Sequence, residues 1–387
     1  RLRCVTGVQT CALPIWMKNQ LLRKLFVRGY SRISTAFYHL TDRLFQGKHR
    51  WIDLKNELEY HDFPFVGQKG GFERIDPDML FGCSKGVCAA AKASAGGVIE
   101  FMTDGSVIEL SVVMKQYLSA FDQPQMPLSS YAGIDIYVKN QEGYFWKGNF
   151  TPNRWLGAEM RYTVRLSEDK EKKMHQVMLY LPIMTPVSSV RIGILPEDRL
   201  LPVQSPKLKI GVYGSSITQG CACSRPGMSY VSQLGRMLDV RMINLGFSGS
   251  AKGEQKIANM IAAIELDVLI IEYDHNATLE ELKKTHWEFF QTIRKAKPAL
   301  PVIFFSRISG GISASMEETE NRRQVILDTI RRAKEQGDQQ VWFVDGMKIN
   351  RQHESGCLLA DDRHPNDLGM TMIARQLAEA VRSIVEK

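Results

Sequence analysis

The sequence lacks two features, long apolar runs and abundant cysteine, which would place it in a membrane or in a disulfide-rich class. No run reaches the ~18 apolar residues that a membrane-spanning helix needs. Only 7 of the 387 residues are cysteines. Two lie in a suspect N-terminal segment, and the others are Cys83, Cys88, Cys221, Cys223 and Cys357. Five scattered thiols without zinc-ligand spacing predict reduced cysteines in a cytoplasmic protein and no zinc site. We also expect no metal of another kind and no cofactor.

Most of the sequence also lacks an excess of basic over acidic residues, although the formal net charge of the whole chain is +8. Ten of the 50 lysines and arginines fall in residues 1–50, where Asp42 is the only acidic residue. Residues 51–387 are therefore close to neutral. Proteins that bind nucleic acids usually carry a basic patch on the folded domain, so we expect no nucleic-acid partner.

The N-terminal 50 residues differ from the rest of the chain. Residues 1–16 contain VTGVQTCALPI, which resembles a translated sequencing-library adapter, and we treat them as an artefact that precedes Met17. Residues 17–50 form a basic extension in which 18–46 carry apolar residues every three or four positions, the pattern of an amphipathic helix. We expect this helix to dock on its own domain or on a second copy in a homo-oligomer, with contact to an anionic membrane as the alternative.

Residues 51–200 consist of short segments that alternate apolar and polar side chains, separated by turn-forming residues. This pattern predicts a β-sandwich accessory domain. The predicted strands are Val98–Thr103, Ser106–Val113, Ile134–Val138, Tyr144–Asn149, Arg161–Leu166, His175–Leu181 and Ser189–Ile194. Two prolines in Leu200–Pro206 favour a linker after this domain.

From residue 207 to 387, apolar strands alternate with helices. The strands are Leu208–Tyr213, Val240–Leu245, Asp267–Glu272, Pro301–Phe305 and Gln340–Asp345, and helices are predicted near 227–238, 252–265, 278–297, 317–336 and 366–386. Five such βα units predict an α/β domain with a parallel five-stranded sheet. Ligands of these sheets bind at the carboxyl ends of the strands.

The first of these strands ends in the segment Ile210–Gly220, IGVYGSSITQG. A strand-to-helix turn of this kind lifts a serine hydroxyl clear of the sheet, which makes Ser216 the candidate nucleophile. The alternative is that Ser215 and Ser216 only cap the following helix.

Three later segments can supply the groups that a serine nucleophile needs. His364 can act as its base, and Asp361 can hold the other ring nitrogen, with Asp362 as the competing acid. The N–H groups of Ser216 and Gly249 and the Asn276 amide can surround an oxyanion.

Two further polar residues near this set are candidates for contact with the substrate. For His275 the alternative is packing at the rim of the site. For Arg363 the alternative is a surface ion pair.

The GSSITQG segment, the Gly249 turn, Asn276 and the Asp361-x-x-His364 pair resemble, in this order, the four sequence blocks of the SGNH (GDSL-like) hydrolases. The resemblance covers roughly residues 207–387. It implies a flavodoxin-like α/β/α fold and a serine esterase or acylhydrolase. It assigns Ser216 as nucleophile, Gly249 and Asn276 as oxyanion-hole donors, and Asp361 with His364 as the remaining catalytic pair.

The N-terminal half extends this resemblance. Gly133-Ile-Asp-Ile-Tyr137 is similar to the GxDLY signature of a jelly-roll-like β-sandwich that precedes the catalytic domain in one SGNH subgroup. Asp135 and Tyr137 are expected to connect the two domains. The resemblance implies removal of short O-acyl groups, acetyl in particular, from carbohydrates or similar small esters.

Two departures from the family pattern leave an alternative open. Ser215 replaces the Asp of the GDS block, and EYDHNA (residues 272–277) replaces the usual GxND block. This alternative is a non-catalytic carbohydrate-binding protein with a degenerate hydrolase domain. A further alternative, independent of these departures, is an acyltransferase on the same fold, since the residues do not distinguish water from a sugar hydroxyl as the acyl acceptor.

Overall fold

The computed structural model describes residues 49–53, 60–61, 72–114, 123–152, 159–168, 172–203, 208–308, 315–351 and 356–386. The predicted artefact at 1–16 and the predicted helix at 18–46 lie outside these ranges. Arg50, which the sequence places at the end of the helical extension, is the first residue of a strand. None of the described helices combines the length and the apolar character that crossing a membrane requires.

The strands before residue 203 form two antiparallel sheets. They are β1 (Arg50–Asp53), β2 (Tyr60–His61), β3 (Val98–Thr103), β4 (Val107–Met114), β5 (Ile134–Asn140), β6 (Gly143–Phe150), β7 (Met160–Arg165), β8 (His175–Tyr180), β9 (Val187–Ile194) and β10 (Leu200–Pro202). One sheet has the strand order β1-β9-β4-β7. The other has the order β10-β3-β8-β5-β6, with β2 also paired to β3.

These two sheets enclose one apolar core, because successive side chains of a strand point to opposite faces. Ile108, Leu110 and Val112 of β4 are fully buried, and they belong to the same cluster as Ile99 and Leu179 of the other sheet. The predicted β-sandwich is therefore confirmed.

The strands after residue 207 form one parallel sheet with the order β12-β11-β13-β14-β15. They are β11 (Lys209–Gly214), β12 (Arg241–Gly246), β13 (Val268–Glu272), β14 (Val302–Phe305) and β15 (Val341–Val344). Every residue of the central β13 is buried, as in a sheet that helices cover on both faces. The predicted five-stranded α/β fold is confirmed, and its strand bounds agree with the prediction to within one residue.

The helices of the described ranges are α1 (Lys85–Ala91), α2 (Leu128–Tyr131), α3 (Ser216–Gln219), α4 (Tyr230–Leu238), α5 (Gln255–Ala263), α6 (Leu279–Ala296), α7 (Met316–Glu335), α8 (Gly346–Arg351) and α9 (Asp367–Val385). Side-chain caps fix where the long helices begin. Thr278 and Glu281 form a capping box at α6, and Asn366 accepts a hydrogen bond from the Gly369 N–H at α9.

Some short elements differ from the sequence-based expectation, and two of them show why. Leu200–Pro202, predicted as part of a linker, is the strand β10, which pairs with Phe101–Thr103 at the edge of its sheet. An edge strand tolerates Pro202, because no ladder partner needs the missing N–H. The short helix α1, which begins after the Ser84 cap, was not predicted, since its seven residues carry no clear apolar period.

The sandwich and the parallel sheet are joined through buried polar contacts. The Asp135 carboxylate accepts a hydrogen bond from the Gly227 N–H at 3.1 Å and lies 3.0 Å from the Arg225 guanidinium. The Arg236 guanidinium lies over the Tyr137 ring, 4.2 Å from its centroid. Asp135 and Tyr137 thus make the contacts between the two halves that the sequence led us to expect.

Candidate active site

The turn between β11 and α3 lies at the carboxyl end of an interior strand of the parallel sheet, because β11 has β12 on one side and β13 on the other. At this turn the Ser215 hydroxyl accepts a hydrogen bond from the Ile217 N–H at 3.1 Å and so caps α3. Ser215 is therefore the residue that caps α3. Ser216 is only 9% exposed, and its hydroxyl has a different partner.

The loop between α8 and α9 carries the other two predicted catalytic residues. Leu359 and Pro365 pair across this loop, and the Ala360 N–H donates to the His364 carbonyl at 2.8 Å. One carboxylate oxygen of Asp361 accepts from the backbone N–H groups of Arg363 at 2.9 Å and His364 at 2.7 Å. The loop thereby holds the Asp361 carboxylate and the His364 ring side by side.

Ser216, His364 and Asp361 form a continuous row of hydrogen bonds. Ser216 Oγ lies 3.0 Å from His364 Nε2, and His364 Nδ1 lies 2.7 Å from Asp361 Oδ2. Because an ionised carboxylate only accepts, the ring proton belongs on Nδ1, and the Nε2 lone pair then faces the serine hydroxyl. Asp362, the competing acid, pairs with the Arg363 guanidinium at 3.4 Å instead.

The charge state of Asp361 suits this arrangement. Partial burial opposes its ionisation, but hydrogen bonds from the backbone N–H groups of His364 and Arg363 and from the His364 ring outweigh it. They hold the pKa of Asp361 below its usual value. Asp361 is therefore a carboxylate at neutral pH and can stabilise a positive charge on His364.

The candidate oxyanion donors lie on segments that hydrogen bonds tie to the nucleophile turn. The Ser248 N–H donates to Gln219 Oε1 of α3 at 3.0 Å, and the Asn276 side-chain amide donates to the Phe247 carbonyl at 3.1 Å. Gly249 is exposed and has a φ of +67°, a conformation that favours glycine. The N–H groups of Ser216 and Gly249 donate to no acceptor within the described ranges.

The two candidates for substrate contact have different surroundings. Burial, with further contributions from Arg307 and His364, holds the pKa of His275 well below its ordinary value, so its ring is neutral. His275 Nε2 is buried and has no hydrogen-bond partner in the part of the chain that the structure describes. Arg363 has a half-exposed side chain and makes the surface ion pair with Asp362.

Glu272, Asp274 and His275 bring potential metal-ligand atoms within 4.8 Å of one another. The surrounding groups do not favour a cation there. The Arg307 guanidinium lies 3.3 Å from the Asp274 carboxylate, and hydroxyl groups already hydrogen-bond to Glu272. We therefore derive no chemistry from a metal at this position.

Two residues that support the site were not singled out from the sequence. Glu272 lies under the nucleophile turn, where its carboxyl contacts Ser215 and Thr218. Arg74, from the N-terminal half, is buried and donates to the backbone carbonyls of Asn244 and Gly246 at the end of β12. A charged residue at the end of an apolar run is the available signal for Glu272, but it does not reveal the partner. Arg74 lies among other charged residues and carries no such signal.

Comparison with protein families gives two adjacent matches. Residues 207–382 match the model of the GDSL-like lipase/acylhydrolase family. Residues 49–200 match the GxDLY model, which describes the N-terminus of the SGNH-hydrolase type of esterase. No curated protein sequence matches the chain.

Several solved structures share this two-part architecture. A GDSL-like lipase from Bacteroides ovatus is 24% identical, with a TM-score of 0.77 over 87% of this chain and 98% of that one. A salicylyl-acyltransferase from a tetracycline biosynthetic pathway is 16% identical, with a TM-score of 0.72 over 87% and 98%. An acetyl xylan esterase from Butyrivibrio proteoclasticus is 13% identical, with a TM-score of 0.58 over 88% and 99%.

At identities below 25% the solved structures show only that the fold is shared. The family models, in contrast, match the amino-acid sequence of this chain. The two models match in the order that the fold shows, with the sandwich before the parallel sheet. Residues 207–382 therefore belong to the GDSL-like lipase/acylhydrolase family and residues 49–200 to the GxDLY type of N-terminal domain, so that the two matched parts together make the chain an ester-hydrolysing enzyme of the SGNH type.

Proposed function

We propose that this protein is a serine esterase that removes short O-acyl groups, acetyl in particular, from carbohydrates or similar small esters. Ser216 is the nucleophile, His364 the general base and Asp361 the residue that orients and stabilises the histidine. The hydrogen-bonded row from Asp361 through His364 to Ser216 carries this proposal, because it is the arrangement that activates a serine hydroxyl at neutral pH.

The first half-reaction acylates the enzyme. Ser216 Oγ attacks the carbonyl carbon of the ester while His364 Nε2 takes the hydroxyl proton. The ester bond to the sugar oxygen then breaks, and His364 returns the proton to the leaving alcohol. Throughout this step the Asp361 carboxylate, 2.7 Å from Nδ1, stabilises the imidazolium.

The second half-reaction restores the enzyme. His364 takes a proton from a water molecule, whose oxygen attacks the acyl carbon on Ser216. The bond to Ser216 Oγ breaks, the serine regains its proton from His364, and the carboxylic acid leaves.

Negative charge develops on the carbonyl oxygen in both half-reactions. The N–H groups of Ser216 and Gly249, together with the Asn276 amide, are the donors that we assign to this oxyanion. Loss of a single oxyanion-hole donor typically costs ~2.7–4 kcal/mol of transition-state stabilisation.

The proposed substrate class is supported by the fold that this protein shares with solved structures, and not by a contact with a substrate. The acetyl xylan esterase of B. proteoclasticus has the same two-part fold, which supports an acetylated carbohydrate. The salicylyl-acyltransferase has that fold too, and it supports transfer to an alcohol as the second candidate reaction. The two reactions differ only in whether water or a hydroxyl group accepts the acyl group.

Acetate release from a panel of acetylated mono- and oligosaccharides tests the proposal. We expect turnover by the wild-type protein and none by Ser216→Ala with its fold intact. An added alcohol that forms a new ester at the expense of acetate would indicate the transferase. Glycan binding without turnover by the wild-type protein would reject the enzymatic assignment in favour of a carbohydrate-binding protein.

A further inference from the structure

The carboxyl group of Glu272 lies directly beneath the nucleophile turn. Glu272 ends β13 and stands opposite Gly214, the last residue of β11. Its carboxyl group is hydrogen-bonded to the Ser215 N–H at 3.2 Å, to the Ser215 hydroxyl at 3.0 Å and to the Thr218 hydroxyl at 2.7 Å. One side chain from the neighbouring strand thus contacts the turn both before and after Ser216.

The local sequence leaves room for this contact. A Cβ atom at Gly214 would lie 2.7 Å from Glu272 Oε2, so a larger residue there would displace the carboxyl group. Ser215 is shorter than the aspartate that the GDS block has at this position. In this chain a carboxyl group from β13, that of Glu272, lies beside residue 215 and bonds to the shorter Ser215 side chain.

The contacts also restrain the turn itself. The Ser215 hydroxyl that bonds to Glu272 caps α3 through the Ile217 N–H at 3.1 Å. The Thr218 hydroxyl that bonds to Glu272 also contacts the Tyr230 hydroxyl at 2.7 Å. Ser216 lies between these two anchored residues, so their positions fix the height and direction of its side chain.

The surroundings of Glu272 favour its neutral form. It is 1% exposed, and no lysine, arginine or histidine side chain bonds to its carboxyl group in the described ranges. The titratable groups that face it are Asp274, which is itself paired with Arg307, the Tyr230 hydroxyl, and the neutral ring of His275, which has a nitrogen within 4.8 Å of the carboxyl group. Burial, with a smaller contribution from Asp274, raises the pKa of Glu272 to about 8.

We propose that Glu272 is a positioning residue, whose carboxyl group holds Ser215 and Thr218 from below and thereby keeps Ser216 Oγ in line with His364 Nε2. It touches neither substrate nor the reacting atoms. This role rests on the proposed esterase function, because it exists only if Ser216 is a nucleophile.

The test compares Glu272→Ala with Glu272→Gln, and uses Glu100→Gln as the matched control. Glu100 is a buried glutamate on β3 of the sandwich. Steady-state hydrolysis of p-nitrophenyl acetate gives kcat and KM separately. Because a misplaced reacting group costs on the order of 100-fold in rate, we expect Glu272→Ala to lower kcat by about that factor with KM little changed. Glu272→Gln keeps an acceptor and a donor in place, so we expect it to retain most of the wild-type kcat at pH 7. We expect Glu100→Gln to have the wild-type kcat.

The pH profile adds a readout that a purely structural role would not change. We expect wild-type kcat to fall above about pH 8, the value to which burial raises the pKa of Glu272, and we expect Glu272→Gln to lack this alkaline decrease. If Glu272→Ala does not fold, Thr218→Val removes one of the two anchoring hydroxyl groups at similar volume and lowers kcat about tenfold on the same argument.

The outcomes separate the two proposals. An unchanged kcat in Glu272→Ala, or in Thr218→Val where the alanine variant does not fold, overturns the positioning role while the esterase stands. The positioning role is also overturned if Glu272→Gln lowers kcat as much as Glu272→Ala does and keeps the alkaline decrease of kcat. A wild-type protein that neither hydrolyses esters nor reacts at Ser216 with a fluorophosphonate overturns the esterase itself, and the positioning role with it.

Discussion

Replacement of Glu272 by glutamine should change how the stability of the parallel-sheet domain depends on pH. The wild-type side chain is buried without a cationic partner in the described ranges, and its pKa is raised from the ordinary 4.5 to about 8. In the unfolded chain the same group ionises near its ordinary value. The native state therefore binds one more proton than the unfolded state between these two pH values.

The sign and size of the effect follow from this difference. Where the native state holds the extra proton, the free energy of unfolding falls as pH rises. One pKa unit corresponds to about 1.4 kcal/mol, so Glu272 lowers the free energy of unfolding by about 5 kcal/mol between pH 4.5 and 8. Roughly 3 kcal/mol of this is already lost at pH 7. Below pH 4.5 both states are protonated and the effect vanishes.

Urea denaturation at a series of pH values measures this slope. Trp287 and Trp342 lie in the parallel-sheet half and report its unfolding by fluorescence. We expect Glu272→Gln to remove most of the decrease between pH 4.5 and 8 and to be more stable than wild type at pH 8. A control change at the exposed Glu280 should keep the wild-type profile. Parallel curves for wild type and Glu272→Gln would refute the reasoning, since they would mean that Glu272 binds no extra proton in the native state.

Three further changes have expected outcomes. Asp361→Asn should lower kcat about 10⁴-fold, because the amide favours the wrong tautomer of His364, and steady-state hydrolysis together with an unchanged circular dichroism spectrum checks this. Arg74→Met leaves backbone carbonyls at the end of β12 without their buried donor and should cost about 3 kcal/mol of unfolding free energy; a loss in urea denaturation below about 1 kcal/mol would contradict it. Asp135→Ala leaves the buried Gly227 N–H without its acceptor and Arg225 without its carboxylate partner, and should cost about 1–3 kcal/mol of unfolding free energy. An unchanged urea midpoint would speak against that contact.

The main elements of the fold could be predicted because their signals are local. The strand β11 and the turn after it were recognisable from an apolar run that ends in Gly214, Ser215 and Ser216. The helices α6 and α9 were placed to within two residues, since their caps and apolar periods lie in their own sequence. The strand β10 was missed because Pro202 within it and Pro206 after it favour a loop locally, and only its pairing with β3 makes it a strand.

The support of the site could not be predicted, because it depends on contacts between distant residues. Ser215 and Glu272 are 57 positions apart and meet only through the register of β11 with β13. Arg74 reaches Asn244 across 170 positions and from the other half of the chain. The sequence shows that Ser215 departs from the family pattern, whereas the structure shows which side chain occupies the space below it.

The central claim is that Ser216 is a nucleophile activated by His364, and reaction with a fluorophosphonate probe tests it most directly. Peptide mass spectrometry after labelling of residues 17–387 should find one adduct, on Ser216. Ser216→Ala should give no adduct, and His364→Ala should label far more slowly, since the hydroxyl then has no base. An adduct on another residue, or none on the folded wild-type protein, would contradict the account.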